Sequence, residues 1–221
     1  MQHKIVFVVG MPRTGTSILV KCLEKSGYNI GEKVYGHKYK SQDGAFRFSN
    51  RKIMRLLCEQ LKHHNPKKPV SISEDMADEV KKVFRYVMLY RIDVLKDPLF
   101  YELLGIYAAV NPGLFEHKFI WTHRDPLETA KSAVRLKYMS GVPELEPRSN
   151  FTVNRGLKRS DAYNAVHETY RPKCDGIDVY FEDLLNDTQS VSRKLSNFLG
   201  REFDASMISK HETFKATGVP Q

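Results

Sequence analysis

The stretch Lys4 to Lys21, Lys-Ile-Val-Phe-Val-Val-Gly-Met-Pro-Arg-Thr-Gly-Thr-Ser-Ile-Leu-Val-Lys, constrains the chain more than any other. Ile5 to Val9 is an unbroken apolar run rich in β-branched residues. That is the pattern of a strand buried on both faces in a parallel sheet. Gly10-Met-Pro-Arg-Thr-Gly15 turns the chain, and a helix is expected from Gly15 to Ser26, stopped by Gly27. Strand, glycine turn and helix together form an anion cradle. The turn's amides point inward, and the helix N-terminus adds about half a positive charge.

The nucleotide-binding P-loop reads G-x-x-x-x-G-K-[ST]. Gly10 and Gly15 have its spacing and Ser17 fills its hydroxyl position, but Thr16 stands where the lysine belongs, and the cation sits inside the loop as Arg13. Such a loop still holds a phosphate. It lacks the lysine that reaches the β- and γ-phosphates, which argues against ATP or GTP. The net charge of +9, from 35 basic and 26 acidic residues, agrees with an anionic ligand. Charge alone does not separate such a ligand from nucleic acid or an acidic membrane surface.

Downstream, core strands are expected at Ile92–Lys96, Phe119–Thr122 and Ile177–Phe181. Helical periodicity runs through 44–62, 74–89, 99–110, 127–137, 156–170 and 188–199. Val70–Ser73 is either a short strand or a lead-in to a helix, and 28–42 and 138–155 read as loops. Strands alternating with helices of this length imply βαβ crossovers. The expected fold is α/β: one domain over residues 1–221, a P-loop NTPase-like three-layer sandwich with a mainly parallel central sheet. Ligands in such sheets bind beyond the carboxyl ends of the strands. Gly10–Ser17, Lys96-Asp97, Arg124 and Phe181-Glu182 all lie just past strand ends and should converge on one edge.

A second motif lies in Phe-Ile-Trp-Thr-His-Arg-Asp-Pro-Leu-Glu-Thr-Ala-Lys-Ser, residues 119–132. Arg124 leaves a buried strand, and the strand-end position predicts a side chain facing solvent. Asp125-Pro126 starts a helix. Ser132, eight residues after Arg124, lies about two turns along it. The pair offers a guanidinium fork and a hydroxyl to one phosphate.

Pro12-Arg-Thr-Gly-Thr-Ser17 resembles the 5'-phosphosulfate loop of sulfotransferases, Pro-[Lys/Arg]-Ser-Gly-Thr-[Thr/Ser]. These enzymes use 3'-phosphoadenosine 5'-phosphosulfate (PAPS). Arg124-Asp-Pro with Ser132 resembles their 3'-phosphate segment. Val179-Tyr-Phe-Glu-Asp-Leu184, followed by Asn186-Asp187 and Phe198-Leu-Gly200, is similar to their Tyr-Glu-Asp-Leu … Phe-Leu-Gly stretch. The resemblance, to a compact bacterial-type member, implies that Arg13, Thr14, Gly15, Thr16 and Ser17 hold the 5'-phosphosulfate. It likewise assigns the 3'-phosphate to Arg124 and Ser132 and places Phe181 near the adenine, where it packs without donating a phenolic hydrogen bond. Lys96 stands where the family often places a lysine on the transferring sulfonate. PAPS is then the donor, PAP the product, and a hydroxyl or amine of a small molecule or carbohydrate the acceptor. No metal and no nucleic acid are expected, and the linear sequence shows no His/Asp/Glu ligand cluster.

Sulfuryl transfer resembles phosphoryl transfer, with in-line attack and a loose transition state. The protein positions the partners and stabilises charge on the leaving oxygen. Arg13, the amides of Thr14 to Ser17 and the hydroxyls of Thr16 and Ser17 suit that task, and the resemblance adds Lys96. A base should stand beside them. Cytosolic members of the family have a His two residues after the lysine, where this chain has Pro98. Several carbohydrate-directed members have a Glu before it, where this chain has Leu95. Asp97 is the nearest carboxylate and the chosen base, although a helix N-cap role suits it equally. Glu32, Asp43 and Glu74 are the alternatives. The C-terminal Arg-Lys-Gly segment of cytosolic members is not recognisable.

Cys22, Cys58 and Cys174 have no C-x-x-C spacing, which points to a reducing compartment without a disulfide framework. No apolar run approaches the roughly 18 residues of a membrane span. With a strand starting near residue 4, no signal peptide and a cytoplasmic location are expected. Two other readings compete: a P-loop nucleotide or small-molecule kinase with Ser17 on Mg²⁺, and a non-catalytic basic module that binds polyanions.

Overall fold

The structure is a computed structural model; it describes residues 3–31, 73–96, 115–135 and 152–208. The sequence readings at 32–72, 97–114, 136–151 and beyond 208 lie outside the described residues, Asp97 among them.

Strand β1 (His3–Gly10) sits inside a parallel sheet of order β2-β1-β3-β4, with β2 at Val94–Lys96, β3 at Phe115–His123 and β4 at Gly176–Tyr180. Val8 lies opposite both Lys96 and Ile120, and Gly10 opposite Thr122. That register brings the ends of β1, β2 and β3 to one edge.

Alternation along β1 fills two cores. Ile5, Phe7 and Val9 join Trp121 against Val80, Val83 and Phe84 of α2 (Glu74–Leu89) and Tyr163 of α4 (Val153–Tyr170). Val6 and Val8 join Ile120 and Val179 against Leu19 and Leu23 of α1 (Thr16–Lys25) and Val191 and Leu195 of α6 (Thr188–Leu199). Each such apolar side chain contributes roughly 1.5–3 kcal/mol when fully buried. The two helical layers enclose the sheet, the α/β sandwich expected. Helix α3 (Pro126–Arg135) follows β3, and the short α5 (Phe181–Asn186) follows β4. Among the described residues no helix is long and apolar enough to cross a membrane.

Differences from the sequence reading have local causes. β3 begins at Phe115, ahead of the apolar run, because ladder pairing of 115–118 with His3 to Val6 uses backbone groups whatever the side chains. α4 begins at Val153, three residues early, because the Thr152 hydroxyl accepts from the Arg155 amide at 3.3 Å. β4 stops at Tyr180, and Phe181 opens a helix instead of closing the strand.

Candidate active site

The glycine turn is held from inside. A Cβ on Gly10 would lie 1.8 Å from Thr122 Oγ1 and 2.7 Å from Thr14 Oγ1, so only glycine fits where β1 meets β3. The Thr14 hydroxyl donates to the Met11 carbonyl at 2.7 Å and lies 2.7 Å from that of Thr122, which donates to the Val9 carbonyl at 3.2 Å. Thr14 is therefore turned inward and its amide closes the turn on Met11. Gly15 has φ 91°, and a Cβ there would reach 2.7 Å from Phe181. Arg13, with a side chain, also sits at φ 78°, a costly conformation that the surrounding contacts must hold. Thr16 and Ser17 open α1, where first-turn amides have no carbonyl four residues back. The loop thus ends in a helix N-terminus suited to an anion.

Lys96 ends β2 and reaches across to α1. Its ammonium donates to Ser17 Oγ at 2.7 Å although the residue is only 6% exposed. A buried ammonium is costly unless it is paired or faces an anion. Here it stands at the same helix start as the turn.

Arg124 comes in from the other side. Its Nη1 donates to the Arg13 carbonyl at 3.2 Å, and its guanidinium lies 4.7 Å from the Phe181 ring centroid. The side chain is 15% exposed, so it is sheltered and does not face solvent as its strand-end position had predicted. The residues that follow form a tertiary wall, which position in the chain does not reveal. Arg124 Nε lies 4.0 Å from Glu182, an electrostatic contact too long for a hydrogen bond, and is buried without a hydrogen-bond partner. Asp125 caps α3 by accepting from the Glu128 amide at 2.8 Å. That helix carries Ser132 inward, where its hydroxyl accepts from Arg13 Nε at 3.3 Å. Phe181, 5% exposed, packs between Gly15 and Arg124. Arg13, Thr14, Gly15, Thr16, Ser17, Lys96, Arg124, Ser132 and Phe181 thus belong to one strand-end neighbourhood. Glu74 instead lies exposed in the first turn of α2.

The sequence did not reveal what braces this edge. Tyr163 of α4 donates its hydroxyl to the Thr122 carbonyl at 3.0 Å. Asp178 Oδ1 accepts from His123 Nε2 at 2.8 Å and from His167 Nε2 at 2.6 Å, while Arg171 Nε donates to Oδ2 at 2.9 Å. Burial raises the Asp178 carboxyl, but the bonds from His123, Arg171 and His167 outweigh it and hold the group below its usual range. Burial lowers His123 against the opposing pull of Asp178. Two histidines and an aspartate thus meet although the linear sequence shows no such cluster. Three separate elements supply them, so no spacing could have signalled it.

A loop with a helix N-terminus, two arginines and a buried lysine can bind a polyanion and steady charge that develops on it. The fold agrees with known proteins. The sulfotransferase domain of an olefin synthase from Synechococcus PCC 7002 superposes with a TM-score of 0.54 at 18% identity, covering 93% of this chain and 76% of that one. The sulfotransferase domain from the curacin biosynthetic pathway gives 0.50 at 14% identity, covering 92% and 76%. At such identities the likeness shows the fold alone. No curated protein matches the chain significantly by sequence. The sequence profile of the Sulfotransferase family does match, over residues 6–205. Spanning nearly all of the chain, the glycine turn and the Arg124–Ser132 stretch included, that match places it in the Sulfotransferase family and makes it a sulfotransferase.

Proposed function

We propose that the chain takes its sulfuryl group from PAPS, passes it to a hydroxyl or amine of a small molecule or carbohydrate, and releases PAP. The observation that carries this reading is the contact between the two motifs. Arg124 bonds the backbone of Arg13, and Arg13 bonds Ser132, across separations of 111 and 119 residues. A nucleotide with a phosphate at each end of its ribose needs two such sites side by side.

The residues present fit that donor. The orphaned, buried Arg124 Nε is a donor lacking an acceptor, as expected of a group kept for an anion. In this reading Arg124 and Ser132 hold the 3'-phosphate, and the amides and hydroxyls of Thr16 and Ser17, with Arg13, hold the 5'-phosphosulfate. Gly15 lets the backbone come close, while Thr14 keeps the turn in shape. Phe181 supports the Arg124 plane and offers the adenine an apolar edge. PAPS supplies an activated sulfuryl group, and no metal is assigned to the transfer. Lys96, held against Ser17, stands ready to neutralise charge at the sulfonate end. Asp97 follows it in the chain and is the proposed base. The site serves a single domain over residues 1–221. A cytoplasmic setting agrees with the free thiols of Cys22 and Cys174.

Thermal melting with PAP, with and without Mg²⁺, tests the donor. PAP at 100 times its Kd should stabilise the chain by about 2.7 kcal/mol without the metal. A shift with Mg-ATP and none with PAP would overturn the reading in favour of kinase-like nucleotide binding. The base is tested separately. Asp97→Asn should lower turnover and leave PAP affinity unchanged, and full turnover in that variant moves the base elsewhere. Labelled PAPS offered to panels of sugars, lipids, peptides and metabolites would identify the acceptor.

A further inference from the structure

We propose that His123, His167 and Asp178 form a site for one divalent transition-metal ion, Zn²⁺ by its ligand chemistry, next to Arg124 but using none of the residues assigned to the donor. His123 Nε2, His167 Nε2 and a carboxylate oxygen of Asp178 all lie within 4.8 Å of one another. Around a tetrahedral Zn²⁺ with bonds of about 2.0–2.2 Å, ligand atoms stand about 3.3–3.6 Å apart, so each nitrogen need draw back from the carboxylate oxygen by only about 1 Å or less to seat the ion. The two nitrogens already meet at one oxygen, Oδ1, at 2.8 and 2.6 Å. They come from β3, α4 and β4, so the convergence belongs to the tertiary fold and not to a flexible loop.

The surroundings are those of a supported ligand set. Arg171 Nε holds Oδ2 at 2.9 Å, which orients the carboxylate and leaves Oδ1 for an ion. The His167 ring meets Trp121 edge-on at 5.2 Å, and the Tyr180 ring stacks on His123 at 5.0 Å, which fixes both imidazole planes. The three side chains are 13%, 23% and 29% exposed, enough for an ion to arrive and for water to complete the shell. Two imidazoles with one carboxylate favour Zn²⁺ or Co²⁺ over Mg²⁺ and Ca²⁺. Binding replaces the two Nε2–H donors with the ion. Each neutral imidazole then carries its single proton on Nδ1, so the exchange balances without an external base. The positive Arg171 beside the site opposes a second cation and so weakens binding of the ion.

The test uses the full chain, stripped with EDTA and dialysed, titrated with ZnCl₂ by calorimetry, and loaded with Co²⁺ to record its visible absorption. The parent should take up one equivalent, and Co²⁺ should give the intense bands of a tetrahedral site. His167→Gln keeps a hydrogen-bond donor but replaces a good ligand with a poor one, so it preserves a purely hydrogen-bonded clasp. It should bind Zn²⁺ at least tenfold more weakly while its circular dichroism is unchanged. Asp178→Asn should weaken binding similarly. The proposal is overturned if the parent shows no saturable uptake, or if it binds no more tightly than His167→Gln, which would place the ion on other histidines. None of these readouts depends on PAPS.

Discussion

The two strand ends that meet at the site present hydrogen-bond donors of different kinds. After β1 the donors are mostly backbone amides at a helix start, shaped by glycines and lined from beneath by Thr14 and Thr122. After β3 they are the side chains of Arg124 and Ser132, carried in by a capped helix and sheltered by Phe181. A backbone site tolerates changes of side chain but no added Cβ at its close approaches. A side-chain site loses its function with one residue yet depends little on local backbone. The region after β3 also needs a brace, and the bonds from Tyr163 and around Asp178 provide it.

The comparison is tested most severely at Arg124. Arg124→Ala should weaken PAP binding by about 100-fold, the cost of losing a charged hydrogen-bonding partner at a sheltered site. Arg124→Lys should recover only part of that, because an ammonium cannot replace the fork. Calorimetry reads both, and parent-like affinity in the alanine variant would end the 3'-phosphate assignment. Lys96, at the end of β2, tests the helix start after β1 that it meets through Ser17. Lys96→Met should lower kcat by about 100-fold, the usual effect of removing one transition-state donor. Its PAP affinity should change by only a few-fold, and an effect confined to affinity would make Lys96 a binding residue instead.

Smaller effects sharpen the backbone half of the contrast. Gly15→Ala should destabilise the chain by about 1–3 kcal/mol, from left-handed strain and collision with Phe181. Gly200→Ala is the control. Its φ is 68° with nothing within 4 Å of an added Cβ, so it carries the conformational cost alone. Urea midpoints that fall equally would remove Phe181 from the account.

The last expected effect concerns pH. Burial holds the His117 imidazole down to about 4 from 6.5. Its neutral form is therefore favoured by folding. Its stabilising contribution is complete above pH 6.5 and is lost as pH falls towards 4, because the unfolded chain takes up a proton that the folded chain refuses. Urea midpoints at pH 7 and pH 5 should show the fall, and His117→Gln should flatten it. An unchanged slope would assign the acid sensitivity to other groups.

Much of this was legible in the chain itself. The apolar run Ile5–Val9, the glycine spacing and the helical period of 74–89 are local signals, and the structure follows them closely. Phe181 was misassigned to a strand because its apolar character fits a strand end as well as a helix start. Arg124 was expected in solvent because a strand end says nothing about what later packs over it. The link of His123 with Asp178 spans 55 residues and had no counterpart in any spacing.

What the sequence alone determined was the element pattern and the two stretches proposed to bind phosphate, since periodicity, turn residues and caps act within a few residues of one another. What only the tertiary structure decided was which strand ends became neighbours, how Arg124 is sheltered, and that two histidines share one carboxylate. Those contacts depend on sheet order and register, which are set by the packing of both apolar faces at once and not by any single stretch.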